Sequence, residues 1–170
     1  MQKNMFWSRI LAHAIVAALL YSLAVFFFLR DSAYSESWLL YLGNALFMAV
    51  IAVFLILFNN QRGKNASSMA MLKASTLTTA MGAALSVLLC FLLLSLMIPG
   101  LFHTGQPQKV LTGEPASTIQ DKTHGLLFMI AASATLGNIA TGMFVSIIFP
   151  FTLKGDQTRE KASPDKTGLS

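Results

Sequence analysis

"LTTAMGAALSVLLCFLLLSLMI", Leu77 to Ile98, holds no Asp, Glu, Lys or Arg. At 1.5 Å rise per residue a helix of this stretch is about 33 Å long, enough to cross the roughly 30 Å hydrocarbon layer of a bilayer. No proline interrupts the chain from Ser67 to Ile98, and Gly82 is the one glycine there. A helix over that whole range would be about 48 Å long, so it either projects beyond the membrane or bends near Lys73. The third helix therefore has a candidate start near residue 67, with Asn65 or Ser67 as N-cap.

Three more runs share this character: Ile10 to Leu29, Trp38 to Phe58, and Leu126 to Phe149. The chain is 55% hydrophobic and only 11% charged. A soluble domain carries about 25% charged residues, and four such helices in a chain this short leave too little polar surface to face water. The sequence predicts an all-α membrane protein: an antiparallel four-helix transmembrane bundle over residues 1–153, with a disordered cytoplasmic tail over 154–170. The first run is longer than a signal-peptide core and ends in "FFFLRD" without a small-residue cleavage site, so it reads as a retained anchor. The single cysteine, Cys90, has no partner for an internal disulfide.

The net charge of +5 is too dispersed for a nucleic-acid surface. It fits membrane orientation. With the N-terminus inside, nine of the basic residues are cytoplasmic (Lys3, Arg9, Arg62, Lys64, Lys73, Lys154, Arg159, Lys161, Lys166) and three external (Arg30, Lys109, Lys122). The positive-inside rule then puts both termini in the cytoplasm. That topology also leaves the sequon "NAS" at Asn65–Ser67 on the side where glycosylation does not occur.

Polar residues inside the spans are the candidate sites. On a helical wheel at 100° per residue, Ser133, Gly137, Asn138, Thr141 and Gly142 share one half of the fourth helix, and Leu136, Ile139 and Ile147 the other. Ser133, Gly137 and Thr141 form a small-xxx-small ridge, which lets helix backbones approach. Similar ridges run along Ala14, Ala18 and Ser22, and along Gly82, Ser86 and Cys90. Asn44 and Asn138 are the buried amides. They lie about 9 and 18 Å from the outer helix ends, so each is expected to bond a hydroxyl or carbonyl on a neighbouring helix rather than the other amide. These eight residues, Asn44, Gly82, Ser86, Ser133, Gly137, Asn138, Thr141 and Gly142, are read as helix-packing positions.

No carboxylate or Lys/Arg lies within the four runs, which argues against a proton relay or voltage sensor. His13, one turn into the first span, is the one titratable candidate of that kind and reads as a structural or interfacial histidine. In the outer loop, His103, Glu114, Asp121 and His124 are the residue types that bind zinc, and "DKTH" puts Asp121 and His124 one turn apart. Their spacing fits no metal motif, so no metal or cofactor is expected. No nucleophile motif occurs, and Cys90 has no base at its depth.

The inner loop "RGKNASSMAMLKAS" (Arg62–Ser75), leading into a long third helix, and the last span "NIATGMFVSIIFPFTLKG" (Asn138–Gly155) resemble a family of small bacterial four-span membrane proteins of unknown function. The resemblance implies a location in the bacterial cytoplasmic membrane and no particular activity. The residues thus point to a non-enzymatic membrane component or subunit, with the lipid bilayer and either further copies or other membrane subunits as partners. Two alternatives stand beside it. One is a small oligomeric transporter or channel with a polar site near Asn44, Asn138 and Thr141. The other is a membrane enzyme using His103 and His124.

Overall fold

The computed structural model describes residues 2–31, 34–61, 67–98 and 122–161. Every described element is helical: α1 (Gln2–Asp31), a 3-10 turn (Tyr34–Ser37), α2 (Trp38–Gln61), α3 (Ser68–Met97), α4 (Lys122–Ala132), a π turn (Ser133–Gly137) and α5 (Asn138–Lys161). The last three run without a break and form the fourth span. Among the described residues, four stretches are long and apolar enough to cross a membrane: Phe6–Arg30, Ser35–Asn60, Ser68–Met97 and Gly125–Leu153.

Local chemistry sets the helix ends. Ser67 takes an extended conformation and its Oγ accepts the Ala70 N–H at 3.1 Å, so α3 starts well before its apolar run. Before α2, Trp38 Nε1 donates to Glu36 at 2.9 Å across the 3-10 turn. At the far end, α5 passes through Pro150 and stays helical to Lys161. The helix thus runs past Lys154, where the sequence suggests a disordered tail, and residues 162–170 lie outside the described residues. Pro150 removes one backbone donor, and neighbouring hydroxyls turn back onto helix carbonyls: Ser146 onto Gly142 at 2.7 Å and Thr152 onto Ile148 at 2.7 Å.

The packing order is α1–α2–fourth span–α3 around the bundle. Three contacts set α1 against α2 in opposite directions: Tyr21 with the backbone at Gly43, His13 with Phe54, and Phe6 with Phe58. By contrast, α1 and α3 lie side by side in the same direction. Gly82 faces the Ala14 carbonyl, and Cys90 lies against Ser22. The ridges Ala14–Ala18–Ser22 and Gly82–Ser86–Cys90 thus pack on each other in register, as small residues allow. The fourth span runs against α3 in the opposite direction, Gly142 meeting Thr79. It is consequently parallel to α2. Consecutive helices run antiparallel, as expected, while the neighbour order makes the α1–α3 and α2–fourth-span pairs parallel.

The core is filled by Tyr21, Phe28, Phe47, Ile51, Leu55, Met71 and Ile130. A Cβ on Gly82 would come within 2.9 Å of the Phe47 ring, so the glycine is the notch that seats this aromatic between α1 and α3. Outward, large apolar side chains such as Leu19, Leu88, Leu96, Leu136 and Phe144 are exposed on every span. Such a continuous apolar exterior exceeds what a water-soluble monomer tolerates and matches a lipid solvent.

Candidate functional site: polar groups in the bundle core

The fourth span answers why an apolar helix carries an amide at its centre. In the π turn the Asn138 N–H is shared between the Ser133 carbonyl, five residues back, and the Thr135 carbonyl, three back, and does not go to Ala134. The Ala134 carbonyl receives the Asn138 side-chain Nδ2 at 3.1 Å. Asn138 thus bridges the step that the wider turn makes in the hydrogen-bond ladder, in a setting where an unpaired backbone carbonyl costs several kcal/mol. Its partner is on its own helix, not on the neighbouring helix that the sequence suggested. Thr135 donates to Ala131 at 2.6 Å, and Thr141 to Gly137 at 2.9 Å, bracketing the turn.

Asn44 enters from α2. Its Nδ2 donates to Ser133 Oγ at 3.1 Å, and its amide lies on Gly137, where a Cβ would sit 2.6 Å from Nδ2 and 2.8 Å from Oδ1. Only a glycine leaves room for the amide at this point. The Tyr21 hydroxyl of α1 also lies near Ser133 without reaching hydrogen-bond geometry. One turn beyond Asn138, the Thr79 side chain of α3 occupies the corresponding notch at Gly142, its Cγ2 lying where a Cβ would go.

Several other core hydroxyls serve their own helices. Ser75 donates to Met71, Thr78 to Ala74 and Ser86 to Gly82, each to the carbonyl four residues back. Six buried polar atoms among the described residues have no partner: Tyr21 Oη, Ser22 Oγ, Asn44 Oδ1, Asn59 Oδ1, Thr79 Oγ1 and Asn138 Oδ1. Three of them, on Tyr21, Asn44 and Asn138, belong to the region around Ser133 and Gly137. A small cavity of about 10 Å³ lies between α3 and the fourth span, beside Cys90 and Ala134. That is room for about one water molecule and no larger ligand.

The structure brings Asn44, Ser133 and Gly137 together, places Gly142 on Thr79 and Gly82 on Phe47, and turns Asn138, Thr141 and Ser86 onto their own helix backbones. His13 is half-buried, its Nδ1–H donating to the Arg9 carbonyl at 2.8 Å and its ring 5.1 Å from that of Phe54. His103, Glu114 and Asp121 lie outside the described residues, and His124 is described only as part of the α4 backbone. Among the described residues no three His, Cys, Asp or Glu side chains come together as a metal would need. Cys90 has Ser22 and Tyr21 nearby, neither of which is a base that would activate a thiol.

Sequence reasoning missed Tyr21 and Thr79. The available signal for Tyr21 was its depth, ten residues inside Asp31 and too far in for an aromatic belt. Thr79 had a weaker signal, as one of a pair of threonines in a leucine-rich run. No protein-family model, curated protein or solved structure matches the chain.

Proposed function

We propose that the chain is a multi-pass integral membrane protein with no catalytic or transport chemistry of its own, acting as a membrane component or subunit. The observation that carries this reading is the closed core. Most polar side chains there bond helix backbones or fill glycine notches, and the cavity beside Cys90 and Ala134 has room for about one water. The Asn44–Ser133 bond and the glycine notches hold helices together, and the other groups serve their own helix backbones. The basic-residue bias supports both termini on the cytoplasmic side, and the resemblance to small bacterial four-span proteins supports the bacterial cytoplasmic membrane.

A second reading, an oligomeric transporter, is favoured by one observation: the unpartnered oxygens of Tyr21, Asn44 and Asn138 gathered around the π turn. Reconstitution decides between the two. Liposomes containing the purified protein are expected to hold proton and alkali-cation gradients as long as empty ones do. A leak that Asn138→Leu removes would establish the transporter instead. Purification in mild detergent, read by native mass spectrometry, then identifies the subunit or copy that the component reading requires.

A further inference from the structure

The basic end of the bundle, opposite the polar core, has an open groove. It measures about 290 Å³ and is lined by Phe6 of α1, Phe58 of α2 and Ala70, Lys73, Ala74 and Leu77 of α3. Five of these six residues are apolar. Phe6 and Phe58 pack ring on ring with centroids 6.0 Å apart. Lys73 is exposed, about 8 Å along α3 from its first residue. Its aliphatic stem can cover the groove while the ammonium stays at headgroup depth.

Charge says what fills this groove. The chain has no Asp or Glu between Met1 and Arg30, nor between Ser37 and Gly113. Arg9 and Lys73 lie on the helices at this end, and Lys3, Arg62 and Lys64 are close to those helix ends in the sequence. The C-terminal segment adds four cations and three anions, so it does not neutralise them. In the sequence, the stretches 30–37 and 99–124 hold three cations and four anions. With no Asp or Glu on the helices that line the groove near Lys73, an external anion is the fitting counter-charge. In a bilayer the abundant mobile anions at that depth are lipid phosphates, and basic pockets between spans recognise them.

We propose that the groove binds one anionic phospholipid, an acyl chain lying along Phe6, Phe58, Ala70, Ala74 and Leu77 and the headgroup phosphate on Lys73. This rests on the membrane reading and is independent of whether the bundle transports anything. Phosphatidylglycerol is the natural probe, because it carries a net negative charge; phosphatidylcholine with the same acyl chains is the zwitterionic comparison.

The test is lipid titration of the detergent-purified protein by native mass spectrometry. The wild type is expected to bind phosphatidylglycerol about fivefold more tightly than phosphatidylcholine, the preference of a single lysine for an anionic lipid. Lys73→Gln should erase that preference and Lys73→Arg should keep it. Ala70→Phe, which fills the groove from a half-buried position, should weaken both lipids. Unchanged melting temperatures in lipid-free detergent confirm that the variants are folded. Equal binding of the two lipids by the wild type, or an undiminished preference in Lys73→Gln, overturns the proposal. So does a dimer that Ala70→Phe dissociates, since a second copy would then be the occupant. A chain that stays monodisperse without detergent would contradict the membrane reading itself, a result distinct from all of these.

Discussion

Asn44 and Gly137 interlock: the amide of one occupies the space where a Cβ of the other would sit, at 2.6 Å from Nδ2, while donating to Ser133 Oγ. This contact ties α2 to the parallel fourth span across the centre of the bundle. The hydrogen bond itself is worth about 0.6 kcal/mol, the average for side-chain bonds between membrane helices. The close backbone approach contributes van der Waals contact along the whole ridge.

Gly137→Leu should therefore lower stability in detergent by about 1–3 kcal/mol, the usual cost of overpacking. Leu136→Ala is the comparison. Leu136 is 70% exposed, so truncating it leaves no closed cavity and should change stability little. Thermal melts of the two variants give the answer, and a worse Leu136→Ala would mean that the span is rotated.

The same contact predicts coupling. Gly137→Ala should destabilise the wild type yet cost clearly less in an Asn44→Ala background, where the amide is gone. Gly142→Ala should behave likewise with Thr79→Ala, whose side chain fills the second notch. Double-mutant cycles in detergent read both couplings, and additive effects would show that the notches do not constrain the helices.

Asn138→Leu removes the donor that the π turn supplies to the Ala134 carbonyl. The expected effect is a modest loss of stability, about 1 kcal/mol, with the four spans retained. Circular dichroism and melting temperature check it. Full stability combined with a changed ion permeability would place Asn138 in a transport site.

Orientation follows from the basic-residue bias. Reporter fusions after Lys64 and Gln157 should behave as cytoplasmic, and a fusion after Gln108 as external. An external reporter at Lys64 would reverse the assignment.

Hydropathy alone was enough to locate the four spans, because crossing hydrocarbon demands long charge-free runs and nothing subtler. The ridges Ala14–Ala18–Ser22 and Gly82–Ser86–Cys90 were legible as surfaces, but not as each other's partners. Lipid is as apolar as leucine, so no hydrophobic signal in the sequence says which ridge meets which. The π turn was invisible for a different reason. It is a shift of backbone hydrogen bonds by one residue, and Ser133–Gly137 has no composition that demands it. The helical wheel placed Asn138 on the buried side, where it is, but could not show that its Nδ2 bonds its own helix at Ala134 rather than a neighbour.

The sealed core can be tested most directly on the unmodified protein, whose single cysteine sits within it. Cys90 is 2% exposed, beside Ser22 and the small cavity next to Ala134. In intact membrane vesicles a membrane-impermeant thiol reagent, applied from either side, should leave Cys90 unlabelled, while the same reagent should label it fully after denaturation in detergent. Labelling of Cys90 in the native membrane-embedded protein would mean that water reaches the centre of the bundle, and would contradict the account.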